Sequence, residues 1–559
     1  MATSTAQVRT FFPVSRCDYT PGPQAHQRYR KPYGDARRAH RLQCLYRRIC
    51  QRQTLTLNQL SDQRAEQVAY SRLLANPKLS LPELTHRLTQ INPASVAGRG
   101  VLVLLDGSMV ALERRGAQRR RFIRQCGVIG TKNTPGFHLL PALLVAEPPA
   151  PAPGAGSVLS GAVPGECLGL ADVVSYEQPP PRRTARANRR QRRQRQALPL
   201  AQKQSGAWVR AAAGAAAQVL PHARRLTAVM DQGGDVLAVQ AALRRDLHLD
   251  YIVRLKFDRW ARLRLVAPPA PLAFGSACAP PRRLSRLLAA QPWRDVQTVG
   301  LRALDHHSKT RQCRRRRPPR MARLRLRTLS VQLSAGRGSE AGQTSLPLSA
   351  VEVHEDASSV PAGQQPVHWC LLTSWPVETL AQAWAVVAAY RQRWHIEQLF
   401  RLLKKDGFGL PASQLDHPDR IKKLCVMALS AASQVLQLVN ARQGGADCPA
   451  ITTLFAPAER KVLARLNQYY QGSTAAQQNP HPAASLAWAS WVIARLGGWK
   501  GYARGRPAGP QTMARGLERF YLMCRYEGLC GDETGSGRAV ADEEGDPSGP
   551  PGPDSLPAP

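Results

Sequence analysis

The chain has 559 residues, and 78 basic against 38 acidic side chains leave a net charge of +40. That length suggests about three or four folded units, and 43% hydrophobic residues exclude a wholly disordered protein. The sequence pI near 10.9 favours a polyanionic partner, nucleic acid first and an anionic membrane surface second. The first residues have no apolar core of the signal-peptide kind. The apolar run 483–494 is about 12 residues, too short to cross a bilayer. The twelve cysteines are scattered without a Cys-x-x-Cys pair. They read as the reduced, mostly structural thiols of a large intracellular protein, and with no spanning run the expectation is a cytoplasmic protein without a membrane partner.

Residues 1–98 read as helical. A basic amphipathic segment opens at Asp35-Ala36-Arg37-Arg38-Ala39-His40-Arg41-Leu42. A second helix around Ala65–Leu74 ends at Asn76-Pro77, and a third from Pro82 follows the N-cap candidate Ser80. The pattern then changes. Gly100–Leu105 is a short, branched, continuously apolar run, hence a buried strand, and it ends in Asp106-Gly107-Ser108. Arg121–Gly130 and Phe137–Ala146 read as the next two strands, with a turn at Asn133–Gly136 between them.

Residues 147–200 read as a flexible Pro- and Arg-rich insert. Arg182–Arg195 holds eight arginines in fourteen residues, a density suited to a solvated loop or arm. Order returns with an Ala-rich helix after Ser205. The strand Leu226–Met230 follows, ending in Asp231-Gln232-Gly233-Gly234-Asp235, and then a helix and the strand Tyr251–Arg254. Residues 256–366 form a second, irregular insert with strand-like pieces such as Leu324–Leu333 and the run Arg314–Arg317; a strand at Val367–Thr373 closes it. A long helix begins near Thr379, which stands at capping-box spacing from Gln382, and runs to Lys405 before Gly407. Residues 410–525 read as further helices. The last 29 residues carry seven acids and one arginine, a disordered acidic tail.

Two aspartates, Asp106 and Asp231, each follow directly on an apolar strand. At the ends of adjacent strands their carboxylates would repel unless a cation lay between them; the alternative is a pair of turn residues. The helix after Thr379 weighs between these readings. At 100° per residue, Tyr390, Arg393, Arg401 and Lys404 fall within about 40° of Glu397. Ile396, Leu399, Leu402 and Leu403 lie opposite. A solvated charged face has the same period. One carboxylate among several cations instead suits a metal-binding Glu flanked by phosphate-holding groups. Three carboxylates on two strand ends and one helix describe a two-metal phosphoryl-transfer site, and all-oxygen donors suit Mg²⁺.

Tyr390-x2-Arg393-x3-Glu397-x6-Lys404 resembles the Tyr-Arg-Glu-Lys signature of bacterial insertion-sequence transposases of the DDE class, the IS four family. The likeness extends to Asp35–Leu42, Lys203–Trp208, His368–Ser374 and Ile493–Trp499, and covers most of residues 30–525. It implies an α/β, RNase H-like catalytic core with a β-rich insertion, flanked by helical domains. The expected divisions are an end-binding domain at 1–98, a core at 99–255 and 367–430, an insertion at 256–366, a dimerisation domain at 431–530 and a tail at 531–559. The resemblance further implies a metal triad of Asp106, Asp231 and Glu397 that binds two Mg²⁺ (Mn²⁺ substituting), and cut-and-paste transposition by a homodimer on paired double-stranded DNA ends, through a hairpin that requires a flipped base.

Trp369 matches the residue that stacks on that base; a core tryptophan is the alternative. Arg254 matches an arginine near the flipped nucleotide; a pair with Asp250 or with solvent is the alternative. Tyr390, Arg393 and Lys404 match phosphate contacts, Arg401, also expected to contact DNA, stands where the family carries a lysine, and Arg37, Arg38 and Arg41 lie on the helix expected to read the transposon ends. Asp235 is assigned a helix N-cap rather than a helper role. The chain departs from the family in the length of 147–200, in Gln-Gly-Gly after Asp231 and in the acidic tail. A non-catalytic inhibitor or repressor is the rival function, disfavoured because both the N-terminal domain and all three carboxylates are present.

Overall fold

The computed structural model describes residues 35–112, 116–130, 133–149, 165–181, 184–263, 280–301, 304–308, 313–317, 319–333, 346–410, 413–445, 448–502 and 507–530. The Pro-rich stretch 150–164 and the acidic tail lie outside the described residues.

Three helices longer than one turn open the described chain: α1 (Ala36–Arg52), α2 (Arg64–Ala75) and α3 (Leu81–Leu88). Asp35 caps α1 by accepting from Arg37 N, and Ser80 caps α3 by accepting from Glu83 N. The strands β1 (Gly100–Leu105) and β2 (Ser108–Ala111) follow. Both pair antiparallel with β3 (Thr134–Ala146), Leu105 opposite Ala142 and Ser108 opposite Leu139. The chain is therefore one strand line interrupted at Asp106-Gly107.

Two expectations fail in this region. Arg121–Gly130 is mostly helix, α4 (Gly116–Cys126), followed by the two-residue strand Val128–Ile129. Its buried residues, Phe122 and Cys126, stand one helical turn apart. The 147–200 insert is ordered at Cys167–Tyr176, where strand β4 pairs along β3 with two register shifts. The arginine run is helix α5 (Ala185–Ala197) rather than loop.

Next come α6 (Gly206–Val219), β5 (Arg225–Met230), α7 (Leu237–Arg245) and β6 (Asp250–Arg254). β5 runs parallel to β1, and β6 parallel to β5. The strand order β4-β3-β1-β5-β6 is thus antiparallel on one side of β1 and parallel on the other. The segment 256–366 continues this sheet. β7 (Arg320–Leu333) pairs with β8 (Leu346–Glu355), β8 with β9 (His368–Thr373), and β9 with β6, all antiparallel. Among the described residues the sheet has thirteen strands. The run Arg314–Arg317 lies on a separate hairpin strand, opposite Leu304–His307.

Thr379 and Gln382 form the expected capping box for α8 (Leu380–Arg391). The long helix is not uniform, however. Gln392 and Arg393 are a 3₁₀-like joint, with Arg393 N bonded to Tyr390 O and Ile396 N to Arg393 O. α9 (Trp394–Arg401) follows, then a π turn over Leu402–Asp406. The joint is held from outside: Gln392 Oε1 accepts from Gly165 N, and Asn440 Nδ2 donates to Gly165 O and sits 2.7 Å from His395 Nε2.

The remaining helices are α10 (Pro418–Ala441), α11 (Pro457–Tyr470), α12 (Leu486–Leu496) and α13 (Pro510–Cys530). α10 is long and apolar enough to cross a membrane, but 83% of its apolar window is buried. It runs through the expected division at 430/431. It packs on β4, α12 and α13 and on the N-terminal helices. Tyr46 and Ser430 hydroxyls lie 2.8 Å apart, and buried Lys423 donates to Leu74 O and pairs with Asp419. The cysteines with described side chains are free.

Candidate active site

The parallel register sets the site. Leu105 lies beside Met230, so the next residues, Asp106 and Asp231, leave neighbouring strands side by side. All six residues of β1 and five of six in β5 are buried. These apolar runs fix the depth at which the chain emerges with a carboxylate. Asp231 Oδ1 accepts from Gly233 N at 2.7 Å. A Cβ at Gly233 would stand 2.9 Å from that oxygen and 3.1 Å from the Trp208 ring. The Gln-Gly-Gly departure therefore lets the backbone tuck between the carboxylate and α6.

The third carboxylate comes from α9. Ile396, Leu399, Leu402 and Leu403 are fully buried, as the helical stripe requires, and they turn Glu397 toward the sheet edge. Arg393 Nη1 donates to Asp106 Oδ2 at 3.0 Å, and Nη2 donates to Glu397 Oε1. One guanidinium thus bridges strand and helix. Burial and the nearby charge of Asp231 push the Asp106 carboxyl up to about 7, against the pull of Arg393. Arg393 is raised: burial opposes its charge, but Tyr390, Glu397, Asp106 and Asp231 outweigh it.

Other expected residues gather here. Lys404, carried on the π turn, donates to Ser108 Oγ at 2.7 Å. Trp369 on β9 is half-buried and meets Tyr390 edge-on at 5.7 Å between ring centroids. Burial raises the Tyr390 phenol, while Arg393 and Arg254 pull it down. Arg254 does not pair with Asp250, whose carboxylate takes Arg244; Arg254 Nη2 reaches His368 O at 3.3 Å. Arg401 is exposed one turn beyond Glu397. Arg37, Arg38 and Arg41 lie apart on α1, Arg37 and Arg41 exposed and Arg38 half-buried.

Asp235 is a correction. It does not cap α7. It is buried, and it accepts from Lys256 N, Phe257 N, Gln240 Nε2 and Arg259, pinning the loop after β6. Two residues were not foreseen. Ser108 anchors Lys404, and its place two residues after Asp106 was a usable signal. Tyr176, at the end of β4, stacks on His138 at 4.7 Å. A Cβ on Gly107 would lie 3.4 Å from its hydroxyl, and its phenol is raised by burial and by the Asp106 charge. No local pattern marks Tyr176, because only the β3–β4 register brings it beside Asp106.

Three carboxylates are hard oxygen donors, and the Asp106 carboxyl sits where a cation would relieve repulsion, so the donor chemistry fits a divalent metal. Among the described residues, no three His, Cys, Asp or Glu side chains converge tightly enough to hold an ion. Arg393 instead holds one oxygen of Asp106 and one of Glu397, leaving Asp106 Oδ1 and Glu397 Oε2 outside its grip.

Residues 209–433 match the family model of the transposase DDE domain. The matched stretch contains Asp231 and Glu397 and begins after Asp106. It supports a DDE transposase, a class of enzyme that acts on DNA and generally uses divalent metals. The mixed α/β architecture agrees with that assignment.

Proposed function

We propose that this protein is a cut-and-paste transposase of the IS four type, acting on the paired ends of an insertion sequence as a homodimer in the bacterial cytoplasm. One observation carries the reading. Asp106 and Asp231 leave parallel strands in register, and Arg393 links Asp106 to Glu397 on the signature helix. The order β4-β3-β1-β5-β6, with its change from antiparallel to parallel at β1, supports an RNase H-like core.

Asp106, Asp231 and Glu397 would hold the divalent cations, Mg²⁺ or Mn²⁺. Bound there, the cations supply charge neutralisation at the scissile phosphate and a more acidic attacking hydroxyl. Arg393 and Lys404 lie next to the carboxylates, placed to hold non-bridging phosphate oxygens; Tyr390 orients Arg393, and Arg401 extends the cationic stripe. Water attack on the end phosphate frees a 3′-OH, which attacks the opposite strand to close a hairpin. The hairpin is reopened before joining to target DNA. Trp369 offers a half-exposed ring for the flipped base, with Arg254 beside Tyr390 to hold its phosphate. Arg37, Arg38 and Arg41 read the end duplex, and the C-terminal helices join two protomers.

The test is a gel assay on linear DNA carrying the terminal repeats that flank the protein's own coding sequence, with Mg²⁺ or with EDTA. Mg²⁺-dependent cleavage at the boundary, a hairpin product and joining to a second DNA are expected. Alanine at Asp106, Asp231 or Glu397 abolishes all three and spares binding. Cleavage without joining would reduce the protein to a nuclease, and specific binding without cleavage in any divalent metal would make it a repressor.

A further inference from the structure

α5 is an unusual helix. Its thirteen residues hold six arginines and no acid, and none of those with described side chains is buried. Thr184 caps it by accepting from Ala187 N at 3.2 Å. Arg186, Arg189, Arg190 and Arg193 are exposed, while Ala187, Asn188, Gln191 and Arg195 are half-buried. At 100° per residue the four exposed arginines share an arc of about 100°, and the half-buried residues occupy the other side. The basic face therefore points away from the body.

Among the described residues, no acidic side chain pairs with any of these four arginines. They stand three and four positions apart, where like charges repel. Arg186 also adds positive charge at the helix's own positive end. A helix that is polar all round, without internal ion pairs, is marginal unless something outside it supplies the counter-charge.

Its placement matters as much as its charge. The connection leaves β4 at Tyr176, beside Asp106 and Gly107. Glu177 is then tied to Lys422 at 2.5 Å. At the far end, Arg210 donates to Ala201 O, and Trp208 lies against Gly233, next to Asp231. The root before α5 thus leaves from beside Asp106-Gly107 and is tied to α10, and the root after it runs into α6, whose Trp208 lies against the turn that follows Asp231.

We propose that α5 is a second DNA-binding element, a sequence-independent clamp. Its four-arginine face grips backbone phosphates of duplex DNA lying across the carboxylate edge of the sheet. Arg186 to Arg193 spans about 10 Å of helix, and a duplex presents one charge per ~1.7 Å, so several phosphates fall within reach. Phosphate contacts position a duplex without reading its sequence. This inference rests on DNA being the substrate, and it assigns a grip distinct from the end-reading α1.

The test uses the full-length protein, wild type and the quadruple variant R186Q/R189Q/R190Q/R193Q. Fluorescence anisotropy follows two duplexes of equal length, one with the terminal repeat and one scrambled, across a salt series. The variant should bind at least about tenfold more weakly near 0.1 M salt, and its slope of log affinity against log salt should be shallower by about 3–4. The loss should be equal on the two duplexes. Because all four arginines are exposed, the melting temperature should not move, and a quadruple Arg→Lys variant should keep the wild-type slope. An unchanged slope overturns the clamp and leaves the transposase reading standing. A loss confined to the terminal repeat overturns it in favour of base reading. Loss of slope in the Lys variant equal to that in the Gln variant overturns it as well, since charge would not be the cause. A wild-type protein that binds neither duplex refutes the DNA-substrate reading beneath it.

Discussion

Two groups of carboxylates lie about the same sheet, and they are built to opposite ends. In the 256–366 segment, Glu355 on β8 is fully buried and meets Arg320, the Val367 N–H and Ser359; Glu352 meets Arg327 and His368. Burial pushes both carboxyls up, but these donors outweigh it and hold them below the ordinary range. At the strand ends the balance reverses. Asp106 faces Asp231 and shares its one guanidinium, Arg393, with Glu397, and burial prevails. A carboxylate whose charge is answered inside the fold is structural. One whose charge is left partly unanswered is available to something that arrives later.

Removing one charge from each group should have opposite consequences. Asp106→Asn is expected to lower strand cleavage by about three orders of magnitude or more, with unchanged end binding. The same change should raise stability at pH 8 by on the order of 1 kcal/mol, because an ionised buried charge disappears. Cleavage assays and urea melts of one preparation check both; a variant that loses stability and activity together would erase the contrast. Glu355→Gln should instead cost on the order of 3 kcal/mol, since Arg320, only 11% exposed, loses its countercharge. A urea midpoint near wild type would show that the pair is dispensable.

Glu459 on α11 sharpens the contrast because it is buried like Glu355 yet answered like Asp106. Its carboxylate accepts from Ala456 N, and burial raises it to about 8 despite that bond and Arg47. Between its unfolded value of about 4.3 and about 8 the folded protein retains a proton that the unfolded chain has lost. This group therefore subtracts stability as pH rises through that window. Glu459→Gln keeps the acceptor and removes the titration. The variant should gain on the order of 2 kcal/mol at pH 8 and nothing at pH 4. A parallel pH profile for wild type and variant would exclude the effect.

Much of this was legible from local pattern. The strands ending at Asp106 and Asp231 are continuous apolar runs closed by a carboxylate. The helix carrying Glu397 shows its buried and polar stripes in sequence. What failed depended on partners far along the chain. Phe122 reads as part of a strand until its spacing to Cys126 is seen to face a core. Cys167–Tyr176 is an edge strand whose first half is buried, but the prolines and arginines on either side dominate any window drawn around it. The 3₁₀-like joint at Gln392 is held by Gly165 and Asn440, contacts that no helical period contains.

The seating of the first helices on α10 has a consequence for how the protein is made. Leu42, Leu45 and Ile49 share a core with Leu424, Ala428 and Ala431, and the Tyr46–Ser430 bond spans 384 positions. At about 5–20 residues per second, a ribosome needs roughly 20–80 s between making those two residues. During that time the N-terminal layer exists without the surface that completes it. Its packing is thus completed late, after the whole of the sheet has emerged. A message truncated before α10 would yield a product in which the earliest-made segment is the one that never matures.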